Sequence, residues 1–72
     1  MTFLKLTRLY LTLRGEVKEC VIYVNPQHIK VFSEQFLDNF DRDVTAISWN
    51  NTSFNETHVK ETPEEIIKQI NK

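Results

Sequence analysis

The hydrophobic pattern is that of a β-rich body followed by one short helix. Leu9, Leu11 and Leu13 alternate with Tyr10 and Thr12, the period-two signature of a strand. Leu4 and Leu6 stand in the opposite phase, which predicts a bulge or a change of face near Thr7-Arg8. Gly15 is the only glycine, so Arg14-Gly15-Glu16 is the natural turn. Val17 to Val24 reads as the return strand, with Cys20, Ile22 and Val24 on one face and Val21 and Tyr23 on the other. Apolar residues on both faces predict a central strand, or one covered on both sides. Asn25-Pro26 ends it, because proline cannot continue a central ladder.

Ile29 and Val31 open a third strand that reaches Phe32. Ser33 to Asp43 is expected to be a loop, or one helical turn presenting Phe36, Leu37 and Phe40. Asp38, Asp41 and Asp43 make its second half polar. Val44 to Trp49 alternates as a strand, Asn50-Asn51 is a turn pair, and Phe54 to Lys60 is the partner strand. At the end of the chain Thr62 is placed as N-cap, Pro63 as the first helical residue and Glu65 as the third, a capping box. Ile66, Ile67 and Ile70 form the expected buried stripe of that helix. The fold class is therefore mainly β (α+β): residues 1–72 as a single small domain, with a small curved antiparallel sheet or open barrel of about five strands and one C-terminal helix.

Size changes the picture first. With 72 residues the chain buries only roughly 60% of its unfolded surface, so it needs further support. Small domains draw that support from disulfides, a metal or a partner subunit. Cys20 is the only cysteine, which excludes an intramolecular disulfide and suits a reducing compartment. The potential metal ligands Cys20, His28 and His58 lack the paired short spacings of a zinc site, so no metal and no cofactor are expected. Self-association is the favoured remaining support. Asp38, Asp41 and Asp43 lack the central glycine and terminal glutamate of a calcium loop. A Cys20–histidine nucleophile pair would need an orienting group and a pocket, and Cys20 reads instead as a small core residue.

The net charge of −1 gives little pull toward nucleic acid or anionic lipid. Charges at Lys5, Arg8 and Arg14 interrupt the opening segment, which lacks the marks of a signal peptide. No run approaches the ~20 apolar residues that span a bilayer, so a cytoplasmic location without membrane insertion is expected. The glycosylation-like triplets at Asn50, Asn51 and Asn55 carry no meaning without a secretory signal.

Several short motifs occur in order: Leu6-Thr7-Arg8-Leu9, Val24-Asn25-Pro26 followed by Ile29, Thr45 and Ile47, then Val59-Lys60-Glu61 leading into Pro63-Glu64-Glu65-Ile66 and Ile70. Together they resemble the small FlbD/SwrD-like proteins, whose outline is an "LTRLNG" opening, an "NPDLI" segment, a "TVITLxxG" hairpin and a "VxES-x-EEV" helix start. The resemblance implies a small non-enzymatic protein linked to motility or carried by a bacteriophage. The chain departs from that outline by inserting Tyr10 to Arg14 and by its longer Ser33 to Asp43 stretch.

The expected function is a non-enzymatic interaction module that binds a protein partner and forms a homo-oligomer. Leu11, Phe36 and Phe40 are the expected contact residues. The alternative is an oligomeric small-ligand or nucleotide binder, such as a phage-encoded inhibitor or sponge. There Arg8, Arg14, Lys18 or Lys30 would meet phosphate, and Tyr23 or Trp49 would stack on a base.

Overall fold

The computed structural model describes residues 3–50 and 56–71. Among these residues the elements run β1 (Leu4–Leu11), β2 (Val17–Val24), a 3-10 turn (Pro26–His28), β3 (Ile29–Leu37), β4 (Arg42–Trp49), β5 (Thr57–Val59) and α1 (Pro63–Ile70). The strands form one open antiparallel sheet in the order β2-β1-β5-β4-β3. The fold is therefore the expected one: mainly β, five strands, one C-terminal helix. The expected turn residue Asn51 and strand residue Phe54 lie outside the described residues.

Connectivity forces the sheet to coil. β2 ends level with Leu4, whereas β3 begins opposite Trp49, beyond the far end of β1. In a flat sheet those points would be four strand spacings apart, ~19 Å, and offset by roughly 27 Å along the strands. The chain from Val24 to Ile29 has five Cα steps, ~18 Å when fully extended, and part of it is wound into the 3-10 turn. The sheet must therefore curl until β3 carries on past the end of β2, and among the described residues the outer edges of β2 and β3 have no strand partner.

Two cores lie on opposite faces of this sheet. The inner face holds Leu4, Leu6, Val24, Ile47, Val59 and Ile66, with Ile22, Ile29, Phe32 and Trp49 packed around them. The outer face holds Leu9, Phe40 and Val44, with Val17 and Leu37 alongside. This explains the phase change in β1 without a bulge. Its pairing with β2 is unbroken from Leu4↔Val24 to Leu11↔Val17, and the strand buries its even positions at one end and Leu9 from the other face. Leu13 is not in the strand; it is fully exposed in the turn that Gly15 makes at φ 80°.

Three further expectations are corrected. Ser33 to Leu37 is strand, not loop or helix, and pairs with Arg42 to Ala46 across a turn in which Asp41 takes φ 52°. Asp tolerates that left-handed conformation better than most residues. β2 is an edge strand, not a central one, so Val21 and Tyr23 face outward uncovered. Of the helical stripe only Ile66 is buried; Ile67 and Ile70 remain close to half exposed.

The helix start follows the sequence. The Thr62 side chain accepts from the Glu65 N–H at 3.2 Å, and the Glu65 carboxylate accepts from the Thr62 N–H at 3.0 Å. The bond donated by the Thr62 N–H, and then one donated by the Thr62 hydroxyl to the same carboxylate at 3.1 Å, hold the Glu65 carboxyl below the usual glutamate range, with a smaller contribution from Lys68.

Two outcomes are expected in thermal melts. Thr62→Ala removes the cap and lowers stability by about 1 kcal/mol, whereas Ile66→Ala opens the inner core and costs ~2–5 kcal/mol. Ile67→Ala costs clearly less than Ile66→Ala, because its side chain already meets water. As for pH, Glu65 is depressed in the folded state, so its contribution is present above the ordinary glutamate range and is lost as pH falls through the folded value. Acid titration of Thr62→Ala against the parent chain should show that difference shrinking on the acid side.

Candidate interaction surface

The surface is best built outward from the place where β5 stops. β5 pairs with β1 at Arg8↔Val59, the Lys60 N–H adds one bond to the Thr7 carbonyl at 2.9 Å, and past that point β1 would show bare backbone to solvent. Side chains take over. The Glu61 carboxylate accepts from the Thr7 N–H at 2.7 Å and from the Thr7 hydroxyl at 2.9 Å. The Gln69 side-chain amide accepts from the Lys5 N–H at 2.9 Å and donates to the Lys5 carbonyl at 3.0 Å, as a neighbouring peptide would. On the other side the buried Thr45 hydroxyl donates to the Glu61 carbonyl at 2.6 Å. This part of the molecule is closed, and its polar groups are spent on the fold.

Phe40 belongs to the fold as well. It is only 6% exposed, folds back from the β3–β4 turn onto the outer core, and meets His58 edge-on at 5.7 Å between ring centres. It is therefore not offered to a partner. Phe36, by contrast, is 58% exposed on the inner side of β3, and Leu11 sits at the border of exposure at the end of β1. The pairing places Phe36 and Leu11 on opposite faces of the sheet.

The six residues expected to meet a small ligand are dispersed. Arg8 and Lys18 share the inner side of the β1–β2 hairpin, and the Arg8 guanidinium lies 5.7 Å from the centre of the Tyr10 ring. Lys18 is paired with Glu16 at 3.4 Å. Tyr23 points to the outer face. Arg14 is in the glycine turn and Lys30 in the irregular start of β3. Trp49 packs against the inner core and donates from Nε1 to the Thr57 hydroxyl at 2.9 Å. Arg8, Lys18 and Trp49 thus lie on the inner face, with Trp49 engaged in the core, and the other three do not join them.

Cys20 shares the face of Arg8, His58 lies on the opposite face with Phe40, and His28 ends the 3-10 turn. Among the described residues no three metal-ligating side chains come together. Among them, too, no helix is long and apolar enough to cross a membrane.

Val21 and Tyr23 are an exposed pair, at 54% and 67% exposure; the sequence offered Tyr23 only as a stacking residue and did not single out Val21. Sequence reading treated them as one covered side of a central strand. No family model matches the chain, and no curated protein or solved structure matches it.

Phe40→Ala tests the separation of core from surface. It should lower stability by ~3–5 kcal/mol. Phe36→Ala, a surface change, should stay within about 0.5 kcal/mol. Urea unfolding of both variants measures the contrast, and equal effects would refute the assignment.

Proposed function

We propose that the chain is a non-enzymatic interaction module that binds a protein partner as a homo-oligomer, FlbD-like in outline, with a motility-linked or phage accessory role. The observation that carries the reading is the number of large apolar side chains left outside both cores. Phe3, Val21, Tyr23, Val31, Phe36, Ile67 and Ile70 are all more than 40% exposed. Single exposed apolar residues are ordinary, but this many on so small a domain point to surfaces that are covered when the protein works. The polar groups best placed for chemistry, Glu61, Gln69 and Thr45, are instead engaged in holding the helix and β1.

One observation favours the small-ligand reading, the Arg8–Tyr10 stack with Lys18 on the same face. An arginine over an aromatic ring can hold a phosphate and a base together. A second subunit would have to supply the other wall.

Native mass spectrometry of the protein purified from its own cells separates the two. The interaction reading expects a protein assembly with no small-molecule mass retained. A nucleotide-sized mass that leaves with Arg8→Ala would favour the alternative. Leu11→Glu and Phe36→Glu should weaken the assembly at least tenfold, about 1.4 kcal/mol, while leaving the melting temperature of the isolated chain nearly unchanged. Assemblies indifferent to both substitutions would move the contact elsewhere.

A further inference from the structure

The two edges of the sheet are defended very differently. β3 starts with a register irregularity between Ile29 and Val31 and carries Lys30 and Glu34 along its length. Irregularity and charge are the usual means of keeping an edge from pairing with another chain. β2 has neither proline nor glycine, and its pairing with β1 runs through all eight residues without a shift. Its two charged residues are engaged within the same molecule, Lys18 with Glu16 at 3.4 Å and Glu19 with Lys60 at 3.6 Å. From Cys20 to Val24 it is uncharged: Cys20-Val21-Ile22-Tyr23-Val24. This is the composition of a strand with neighbours on both sides, placed on an edge with Val21 and Tyr23 in solvent.

We propose that β2 pairs antiparallel with β2 of a second copy, about a two-fold axis at Ile22, joining two sheets into one. The inference rests on the reading of the chain as an interaction module and names the partner for this edge. The segment is complementary to itself in that register. On the outer face Val21 lies opposite Tyr23 of the second copy, and Tyr23 opposite its Val21. An aromatic opposite a β-branched residue is a favourable cross-strand pair. On the inner face Ile22 meets Ile22, and Cys20 meets Val24. No charged residue lies within this overlap; Glu19 falls opposite Asn25, and the chain leaves the ladder at Pro26, where the 3-10 turn begins. Slipping the register by one residue would set inner-face side chains against outer-face ones. A contact of this kind is isologous and closes at a dimer.

The test uses the full chain in a Cys20→Ser background. Sedimentation across concentration should give a dimer for the parent. Val21→Lys and Tyr23→Lys, both exposed changes, should raise the dimer dissociation constant at least tenfold with an unchanged circular dichroism spectrum. Register is tested by mixing Val21→Cys chains with Tyr23→Cys chains under oxidation. Directly opposed residues are close enough for a disulfide, and diagonal ones are not. Mixed disulfides should therefore form in excess over either homodimer. A parent chain that stays monomeric into the hundred-micromolar range would overturn the inference; the assembly recovered from cells would still test the broader reading on its own. A dimer that ignores both lysines, or cross-links without preference for the mixed pair, would overturn it equally.

Discussion

The whole structure depends on filling the wedge between β1 and β4 below the end of β5. Both long strands flank β5, yet β5 pairs with β1 at a single position. Without a filler, β1 would leave the Thr7 N–H and both peptide groups of Lys5 unpaired, because the Lys60 N–H reaches only the Thr7 carbonyl. A buried or half-buried peptide group without a partner costs more than a hydrogen bond returns. Glu61 meets both walls of the wedge, Thr7 through its carboxylate and Thr45 through its carbonyl. Gln69 completes the seal at Lys5, and Ile66 fills the space beneath. The helix is thus a substitute for the missing length of β5 as much as a cover for the core.

That seal makes the second core intelligible. A strongly coiled five-stranded sheet has a small inside, and the inner face is filled by ten residues including the partly buried ones. Leu9, Val44 and Leu37 face the other way, where the described residues form no second sheet. The β3–β4 turn solves this by folding Phe40 back over them. Its geometry requires Asp41 in the left-handed region and two N–H groups, of Phe40 and Asp41, donated to the Leu37 carbonyl. One loop residue therefore serves as the lid of a core that the sheet alone could not close.

Some of this was legible in the residues and some was not. The capping box could be read directly because it is a local matter: Thr62, Pro63 and Glu65 act within one helical turn. The β1–β2 hairpin was legible for the same reason, from one glycine between two alternating runs. β3 beyond Phe32 was not, because an edge strand with water on both sides keeps little alternation, and Ser33, Glu34 and Gln35 look like loop. The phase change at Thr7-Arg8 was visible, and of its two readings, a bulge or a change of face, the second holds. A bulge and a strand buried on opposite faces at its two ends leave the same trace in sequence, and only the position of Phe40 decides between them. Among the candidate contact residues Phe36 and Leu11 were placed on the surface by the fold, whereas Phe40 was drawn into a core no local pattern announces. The edge position of β2 depends on the order of all five strands, which no single segment encodes.

The seal between the helix and β1 also fixes when the molecule can become whole. Lys5 and Gln69 are 64 positions apart, and Thr7 and Glu61 are 54 apart. Contacts of such separation slow folding, because nearly the entire chain must be ordered before they form. On a ribosome β1 emerges well before Glu61 and the helix that cover it. In between, the β1–β2 hairpin can form by itself, but the side of β1 meant for β5, Glu61 and Gln69 has nothing to meet. For that interval the nascent chain carries an unpaired strand edge, the kind of surface that makes a partly folded chain prone to aggregate.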